Sequence, residues 1–177
     1  VFSPAESLAL MLRSMDKAGI TMSGLLGHNV DPLQSAAEIR AVNAFTHEMV
    51  RLCPERFFVF VFINPELPSD LVAEELDHWL VQPEFRAVKL ELDTNCRSSK
   101  LDIVMQRALA HDAIVLHHTW YWNPWDATPE QLEFQAGRSE SHDVADLARR
   151  FPEVRIVMAH LEGSGERGIL DVADLEN

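Results

Sequence analysis

The chain has 177 residues, 47% of them hydrophobic and 24% charged, which is enough for one domain with a core of its own. Its formal net charge of −13 argues against binding to nucleic acid or to an anionic membrane surface, because both depend on Lys and Arg. No apolar run approaches the roughly 20 residues that cross a bilayer, and two cysteines make no disulfide framework, so a cytoplasmic location is expected.

Helix punctuation predicts the first elements of the chain. Ser3-Pro4-Ala5-Glu6 is a capping box with Pro at the first helical position, and Gly19 marks the end of that helix. The short apolar run at 20–26 predicts the first strand. A second capping box, at 35–38, begins the next helix.

The rest of the chain continues this alternation of helices and apolar strands. The predicted strands cover residues 57–63, 87–92, 113–116 and 155–159, and the predicted helices between them begin near residue 70 or contain residues 101–108 and 144–151. Continuous apolar strands between helices indicate a parallel sheet covered by helices. No linker or change in composition divides the chain, so a single domain over residues 1–177 is predicted.

Two α/β architectures fit this alternation, a (β/α)8 barrel and an open doubly wound sheet. The strand at 87–92 favours the barrel, because Lys89 and Glu91 share one face of it. Helices cover both faces of an open sheet, where these charges would be costly, whereas the inner face of a barrel carries polar chemistry near the carboxyl ends of its strands. Histidines rather than glycine-rich turns end the later strands, which also favours the barrel.

Candidate metal ligands end the last two predicted strands. One strand ends in Leu116-His117-His118-Thr119 and the next ends in Ala159-His160. Neutral imidazole is the commonest protein ligand for zinc, and a catalytic zinc site uses about three protein ligands and a water. Two histidines from neighbouring parallel strands can therefore share a metal. Alternatively, each histidine caps its strand and bonds a loop carbonyl.

These segments, in this order, resemble the amidohydrolase-related family of metal-dependent barrel enzymes. The resemblance rests on residues 114–120 and 151–163, together with 54–57, 63–65 and the strand at 86–90. It implies an incomplete TIM (β/α)8 barrel, with about strands two to six present and the first and last strands missing. It also implies that one histidine on the fifth strand and one on the sixth bind the catalytic metal, which is expected to be zinc.

Only one of the two adjacent histidines can face the barrel axis, because neighbouring residues on a strand point to opposite faces. The family context of a histidine followed by Thr119 and Trp120 matches His118 better than His117. The predicted metal ligands are therefore His118 and His160, and His117 is predicted to lie in the core or behind the site.

The resemblance also implies site residues that the 177 residues do not include. Members of the family carry a His-x-His pair on the first strand, just before a segment like residues 1–3 of this chain. Their general-base aspartate ends the last strand and would lie beyond Asn177, so no catalytic base is identified in this sequence. We therefore expect these residues to be part of an active parent enzyme and to be inactive on their own.

Substrate contacts are predicted for Lys89, Trp120 and Trp122. In some members of the family a fourth-strand lysine is carboxylated and bridges two metals, and in others this position contacts substrate. An internal salt bridge with Glu91 is the third interpretation of Lys89. Trp120 and Trp122, with Trp125, lie in a long connection after a strand, where aromatic residues either line a pocket for a flat substrate or form a lid packed on the protein.

The predicted function is hydrolysis of a C–N or C–O bond in a small molecule by water activated on a divalent metal. Decarboxylation of a small aromatic acid is the alternative on the same scaffold. A non-catalytic interaction domain is a second alternative, because the exposed strand edges of an incomplete barrel favour homo-oligomers. A nucleotide-binding open sheet is the third, suggested by a G-x-G-x-x-G pattern at 163–168, although that pattern belongs after the first strand of such sheets.

Overall fold

A computed structural model describes residues 3–27, 35–91, 94–119, 125–162 and 172–175 of the chain. In these residues, helices and strands alternate. In chain order the elements are α1 (Pro4–Ala18), β1 (Ser23–Leu26), α2 (Ala36–Arg51), β2 (Phe57–Phe62), α3 (Ser69–Leu80), β3 (Phe85–Leu90), α4 (Leu101–Ala110), β4 (Ile114–His117), α5 (Pro129–Gln135), α6 (Ser141–Arg150), β5 (Ile156–Met158) and a 3-10 turn (Ala159–Glu162).

The strands form one parallel sheet in the order β1-β2-β3-β4-β5, so that each strand pairs with its neighbours in sequence. This order is that of a (β/α)8 barrel. An open doubly wound sheet instead reverses its order at the point where it binds nucleotides, and no reversal occurs among the described strands. The predicted α/β fold, an incomplete barrel, is therefore confirmed, and the open-sheet alternative is wrong.

The predicted helix caps are present. The side chains of Ser3 and Ser35 accept hydrogen bonds from the backbone N–H groups of Glu6 and Glu38, which complete both capping boxes. Gly19 ends α1 with a φ of 71°, a left-handed conformation that costs glycine little. Local chemistry therefore sets the helix boundaries in the first part of the chain.

Three strands are shorter than predicted, among them β2, which ends one residue early at Phe62, and β3 covers Phe85–Leu90 rather than 87–92. The strand β1 begins at Ser23 rather than at residue 20, because the Arg56 side chain bonds the carbonyls of Ile20 and Thr21. The strand β5 ends at Met158, and the 3-10 turn begins at the next residue. The short helix α5 was not predicted, although Thr128 caps it in the same way that Ser3 caps α1.

The two faces of the sheet differ in composition. One face packs against the helices and carries fully buried aliphatic side chains, namely Val59, Val61, Val88, Leu90 and Val115. The register places Phe58 and Phe60 on the opposite, inner face, where their ring centroids lie 5.3 Å apart. Gly24 faces these rings, and a Cβ atom at this position would lie 2.5 Å from the Phe60 ring. Aromatic side chains therefore fill the inner face beside β1, and the polar residues lie further along the sheet.

Candidate metal centre

His118 and His160 lie side by side at the carboxyl ends of β4 and β5. Their ring centroids are 4.6 Å apart, and the ring planes are inclined by 42°. His118 directly follows the last residue of β4, and His160 lies in the 3-10 turn after β5. The structure therefore brings together the two residues that the sequence predicts as metal ligands, at the end of a parallel sheet where barrel enzymes have their active sites.

Two hydrogen bonds and one unusual backbone conformation hold these histidines in place. The backbone N–H of His118 donates to the carbonyl of Leu90 on β3 at 2.9 Å. The Thr119 hydroxyl donates to the carbonyl of Ala159 at 2.5 Å, which joins the segments that carry the two rings. His160 has a φ of 62°, and this left-handed conformation costs a non-glycine residue about 1 kcal/mol or more. Such conformations cluster at functional sites.

The adjacent His117 has a different environment. Its side chain is fully buried on the helix-covered face, and its Nδ1 donates to the carbonyl of His118 at 2.7 Å. Burial lowers the pKa of His117 to about 4, so the ring is neutral near pH 7. The strand register pairs His117 with Leu90, whereas Leu116 pairs with Lys89, so His118 shares the inner face with Lys89. Of the two histidines, His118 is the one beside His160.

Glu91 connects His118 to Lys89. Its Oε2 accepts a hydrogen bond from His118 Nδ1 at 3.0 Å, and its Oε1 lies 3.0 Å from the Lys89 ammonium. Burial by itself raises the pKa of Glu91, but the hydrogen bond from His118 and the charge of Lys89 together lower it to about 2, so the carboxyl is ionised. The internal ion pair with Glu91, one of the three interpretations of Lys89, is present.

Two basic groups of the site, Lys89 and His160, have lowered pKa values. Burial lowers the pKa of Lys89, and the Glu91 carboxylate opposes that shift. Desolvation lowers the pKa of His160, and the proximity of His118 and Lys89 lowers it further. This shift favours the neutral imidazole, which is the form that binds metals.

The donor set meets part of the requirement for a divalent metal. Zinc–nitrogen bonds are about 2.0–2.1 Å long, so the imidazoles of His118 and His160 are close enough for both to bind one ion. The Lys89 ammonium would repel a cation, but the Glu91 carboxylate between it and His118 neutralises it. Within the part of the chain that the structure describes, no group of three or more His, Cys, Asp or Glu residues could hold a metal. His118 and His160 are therefore two candidate ligands of a metal site.

Other predicted site residues lie outside the described residues. Trp120 and Trp122, the predicted substrate contacts, are among them, and so is the glycine pattern at 163–168. Trp125 is described, and its side chain is 92% exposed. Substrate contact by Lys89, Trp120 and Trp122 stays a prediction.

Two contacts of the site were not predicted from the sequence. Glu91 was considered only as a partner of Lys89, and its bond to His118 was missed because that bond depends on the register between β3 and β4. The Thr119 bond to Ala159 spans the loops after two strands and has no signal in the sequence. The spacing of Lys89 and Glu91 gave one indication of the bond between Glu91 and His118, because it places both the Lys89 and Glu91 side chains on the inner face.

Comparison with known proteins agrees with this fold. The amidohydrolase family model matches residues 5–174, and the chain belongs to this family. No curated protein matches the chain. Because the family is metal-dependent, the prediction of a metal is supported at the level of the family. The prediction that this metal is zinc is not supported by these comparisons.

Three solved structures illustrate the similarity in fold. The 5-carboxyvanillate decarboxylase LigW from Sphingomonas paucimobilis is 18% identical with a TM-score of 0.65, and the match covers 86% of this chain and 51% of that one. The 2,6-dihydroxybenzoate decarboxylase from Rhizobium is 16% identical with a TM-score of 0.64, covering 86% and 55%. The 5-carboxyvanillate decarboxylase from Novosphingobium aromaticivorans, complexed with manganese and 4-hydroxy-3-methoxy-5-nitrobenzoic acid, is 14% identical with a TM-score of 0.66, covering 87% and 49%. The chain thus spans about half the length of these structures.

Proposed function

We propose that the chain carries part of the active site of a metal-dependent enzyme of the amidohydrolase type, in which His118 and His160 bind a divalent metal. The convergence of their rings at 4.6 Å, at the carboxyl ends of two parallel strands, is the observation that carries this proposal. A metal bound there activates a water molecule or polarises a substrate oxygen.

The residues of the chain have distinct roles in this proposal. His118 presents Nε2 to the metal, because its Nδ1 donates to Glu91. His160 is held beside it by the bond between Thr119 and Ala159, and the lowered pKa of His160 keeps its ring available as a ligand. Lys89, Trp120 and Trp122 are the proposed contacts for a small-molecule substrate.

Hydrolysis of a C–N or C–O bond is the proposed reaction, in line with the family to which the chain belongs. Decarboxylation of a small aromatic acid is the second candidate, and the named activities of the three similar structures favour it. In either reaction, the substrate oxygen next to the bond that breaks would bind where the two imidazoles converge.

Zinc is the proposed metal, because imidazole ligands suit it. Manganese is the alternative that the Novosphingobium aromaticivorans structure favours. A cytoplasmic location is proposed as well, since Cys53 and Cys96 are both free thiols, which is usual in a reducing compartment. No helix in the described part of the chain is long and apolar enough to cross a membrane.

Metal binding tests the first part of the proposal. We expect the purified chain to bind Zn²⁺ or Mn²⁺ in equilibrium dialysis, and His118→Ala and His160→Ala each to weaken that binding by at least about tenfold. His78→Ala removes an exposed histidine on α3 and is the matched control, which should leave the affinity unchanged. A chain that binds neither metal, or two site variants that bind like the control, would contradict the proposal.

The reaction is tested with two substrate panels in the presence of each metal. Hydroxylated benzoic acids report decarboxylation through released CO₂, and small amides, esters and lactones report hydrolysis through the carboxylic acid formed. We expect turnover in one panel only by the enzyme of which these residues are part, and its loss in His118→Ala. Turnover that persists in His118→Ala would separate the activity from this site.

A further inference from the structure

Glu91 occupies a position from which it can control the His118 ring. One carboxylate oxygen accepts from His118 Nδ1 at 3.0 Å, and the other lies 3.0 Å from Lys89 Nζ. Both side chains are largely shielded from solvent, because that of Glu91 is 16% exposed and that of Lys89 is 6% exposed. We infer that Glu91 is a positioning residue, whose carboxylate holds His118 in the tautomer that presents the Nε2 lone pair to the proposed metal.

The tautomer follows from the chemistry of the acceptor. An ionised carboxylate only accepts hydrogen bonds, so the proton of a neutral His118 ring must sit on Nδ1. The opposite nitrogen, Nε2, then carries the lone pair with which an imidazole binds a metal. Without a carboxylate at this position the proton can move to Nε2, where it blocks coordination. Acceptors behind ligating histidines work in this way in metal sites generally.

Lys89 fixes the position of the Glu91 carboxylate. Its ammonium also donates to the carbonyl of Leu90 at 2.7 Å, which anchors it to the backbone of β3. Each oxygen of the Glu91 carboxylate therefore has a different partner, one on β3, which ends at the preceding residue, and one just beyond β4. A carboxylate held at both oxygens cannot rotate away from His118, so the imidazole ring keeps its orientation as well as its tautomer.

The same fold contains an imidazole–carboxylate pair with the opposite arrangement. His111, at the end of α4, bonds the Asp77 carboxylate on α3 through Nε2 at 2.9 Å. By the same reasoning, its ring carries the proton on Nε2. His111 and His118 are therefore expected to give opposite tautomers in one spectrum, and the His111 pair provides a matched control.

The experiment is ¹⁵N NMR of the chain labelled at histidine, with signals assigned by His118→Ala and His111→Ala. We expect neutral His118 to be protonated at Nδ1 in the wild type, and Glu91→Leu to move the proton partly or wholly to Nε2. Asp77→Leu should change the His111 signals and leave those of His118 unchanged. Glu91→Gln keeps the side-chain shape but has only one acceptor oxygen, which the Lys89 ammonium needs, so the amide NH2 faces His118 Nδ1. This variant should therefore also move the proton towards Nε2, and it stands in if Glu91→Leu fails to fold.

Metal affinity supplies a second measurement, which rests on the proposed function. We expect Glu91→Leu to bind Zn²⁺ or Mn²⁺ about ten- to hundredfold more weakly than the wild type, and Asp77→Leu to bind like the wild type. A wild-type His118 protonated at Nε2, or a Glu91→Leu chain with unchanged tautomer, would overturn the inference. A wild-type chain that binds no metal but shows the expected tautomers would overturn the proposed function and leave the positioning of His118 intact.

Discussion

His117 and His118 are consecutive residues with opposite environments. His117 lies fully buried on the helix-covered face, whereas His118 lies on the inner face beside His160 and Glu91. A shift of the register by one residue would exchange these two environments, because side chains alternate along a strand. The candidate site therefore depends on the pairing of β4 with β3 as much as on the presence of a histidine.

The buried His117 predicts how stability depends on pH. Its pKa is lowered by burial from the ordinary 6.5 to about 4, so the unfolded chain takes up a proton at a pH at which the folded chain does not. The corresponding stability is complete above about pH 6.5 and is lost as the pH falls towards about 4. The size of this loss is about 3 kcal/mol in the free energy of unfolding.

Urea unfolding of the wild type and of His117→Asn between about pH 7 and about pH 4 measures this contribution. We expect the free energy of unfolding to fall less steeply with acidification in His117→Asn, because a neutral amide takes up no proton. His78→Ala, which removes an exposed histidine, should follow the wild-type curve. Parallel curves for the wild type and His117→Asn would show that His117 does not carry the effect.

At the scale of the elements, side-chain caps decide where helices begin. In the second capping box, the Ser35 hydroxyl lies 3.4 Å from the backbone nitrogen of Glu38, and the Glu38 carboxylate accepts from the backbone N–H of Ser35 at 2.9 Å. These bonds satisfy N–H groups that have no partner within a helix. The same kind of cap begins α5, at Thr128.

Ser35→Ala is expected to lower the free energy of unfolding by about 1 kcal/mol, because it removes the acceptor for the Glu38 N–H. Ser14→Ala is the matched control. Its hydroxyl bonds the Leu10 carbonyl within α1, and alanine has the better helix propensity, so this change should stay within about 0.5 kcal/mol of the wild type. Both values come from chemical denaturation, and equal effects of the two changes would contradict the role of the cap.

At the scale of the whole molecule, the sheet has two edges. Among the described strands, β1 and β5 each pair on one side only. Apolar side chains are exposed at both edges, with Leu26 at 43% and Val157 at 48%. Unpaired strands with exposed apolar residues favour association with another chain, as the alternative of an interaction domain anticipates.

We therefore expect the purified chain to self-associate in sedimentation velocity experiments as its concentration rises. Val157→Lys places a charge on the edge strand β5 and should shift the distribution towards the monomer. Leu109→Lys, at a similarly exposed apolar residue on the helix α4, is the control that should leave association unchanged. A wild-type chain that stays monomeric at all concentrations would contradict this expectation.

Much of the fold could be predicted from the sequence, because its signals are local. Capping boxes, a terminal glycine and the spacing of apolar residues act within a few positions of one another, and they specified the alternation of helices and strands. The polar pair Lys89 and Glu91 on one strand indicated a barrel interior, and the strand order agrees. Where local and distant bonds compete, as at Arg56 beside β1, the predicted boundary was wrong by three residues.

The sequence by itself therefore determined the elements apart from α5, the barrel and the two histidines at the strand ends. Only the tertiary structure decided that the rings of His118 and His160 lie 4.6 Å apart and that Glu91 bonds His118. The first contact joins residues 42 positions apart in the sequence, and the second joins residues 27 positions apart. Their geometry depends on strand register and on the backbone turn at His160, and neither is encoded in the spacing of residues along one strand.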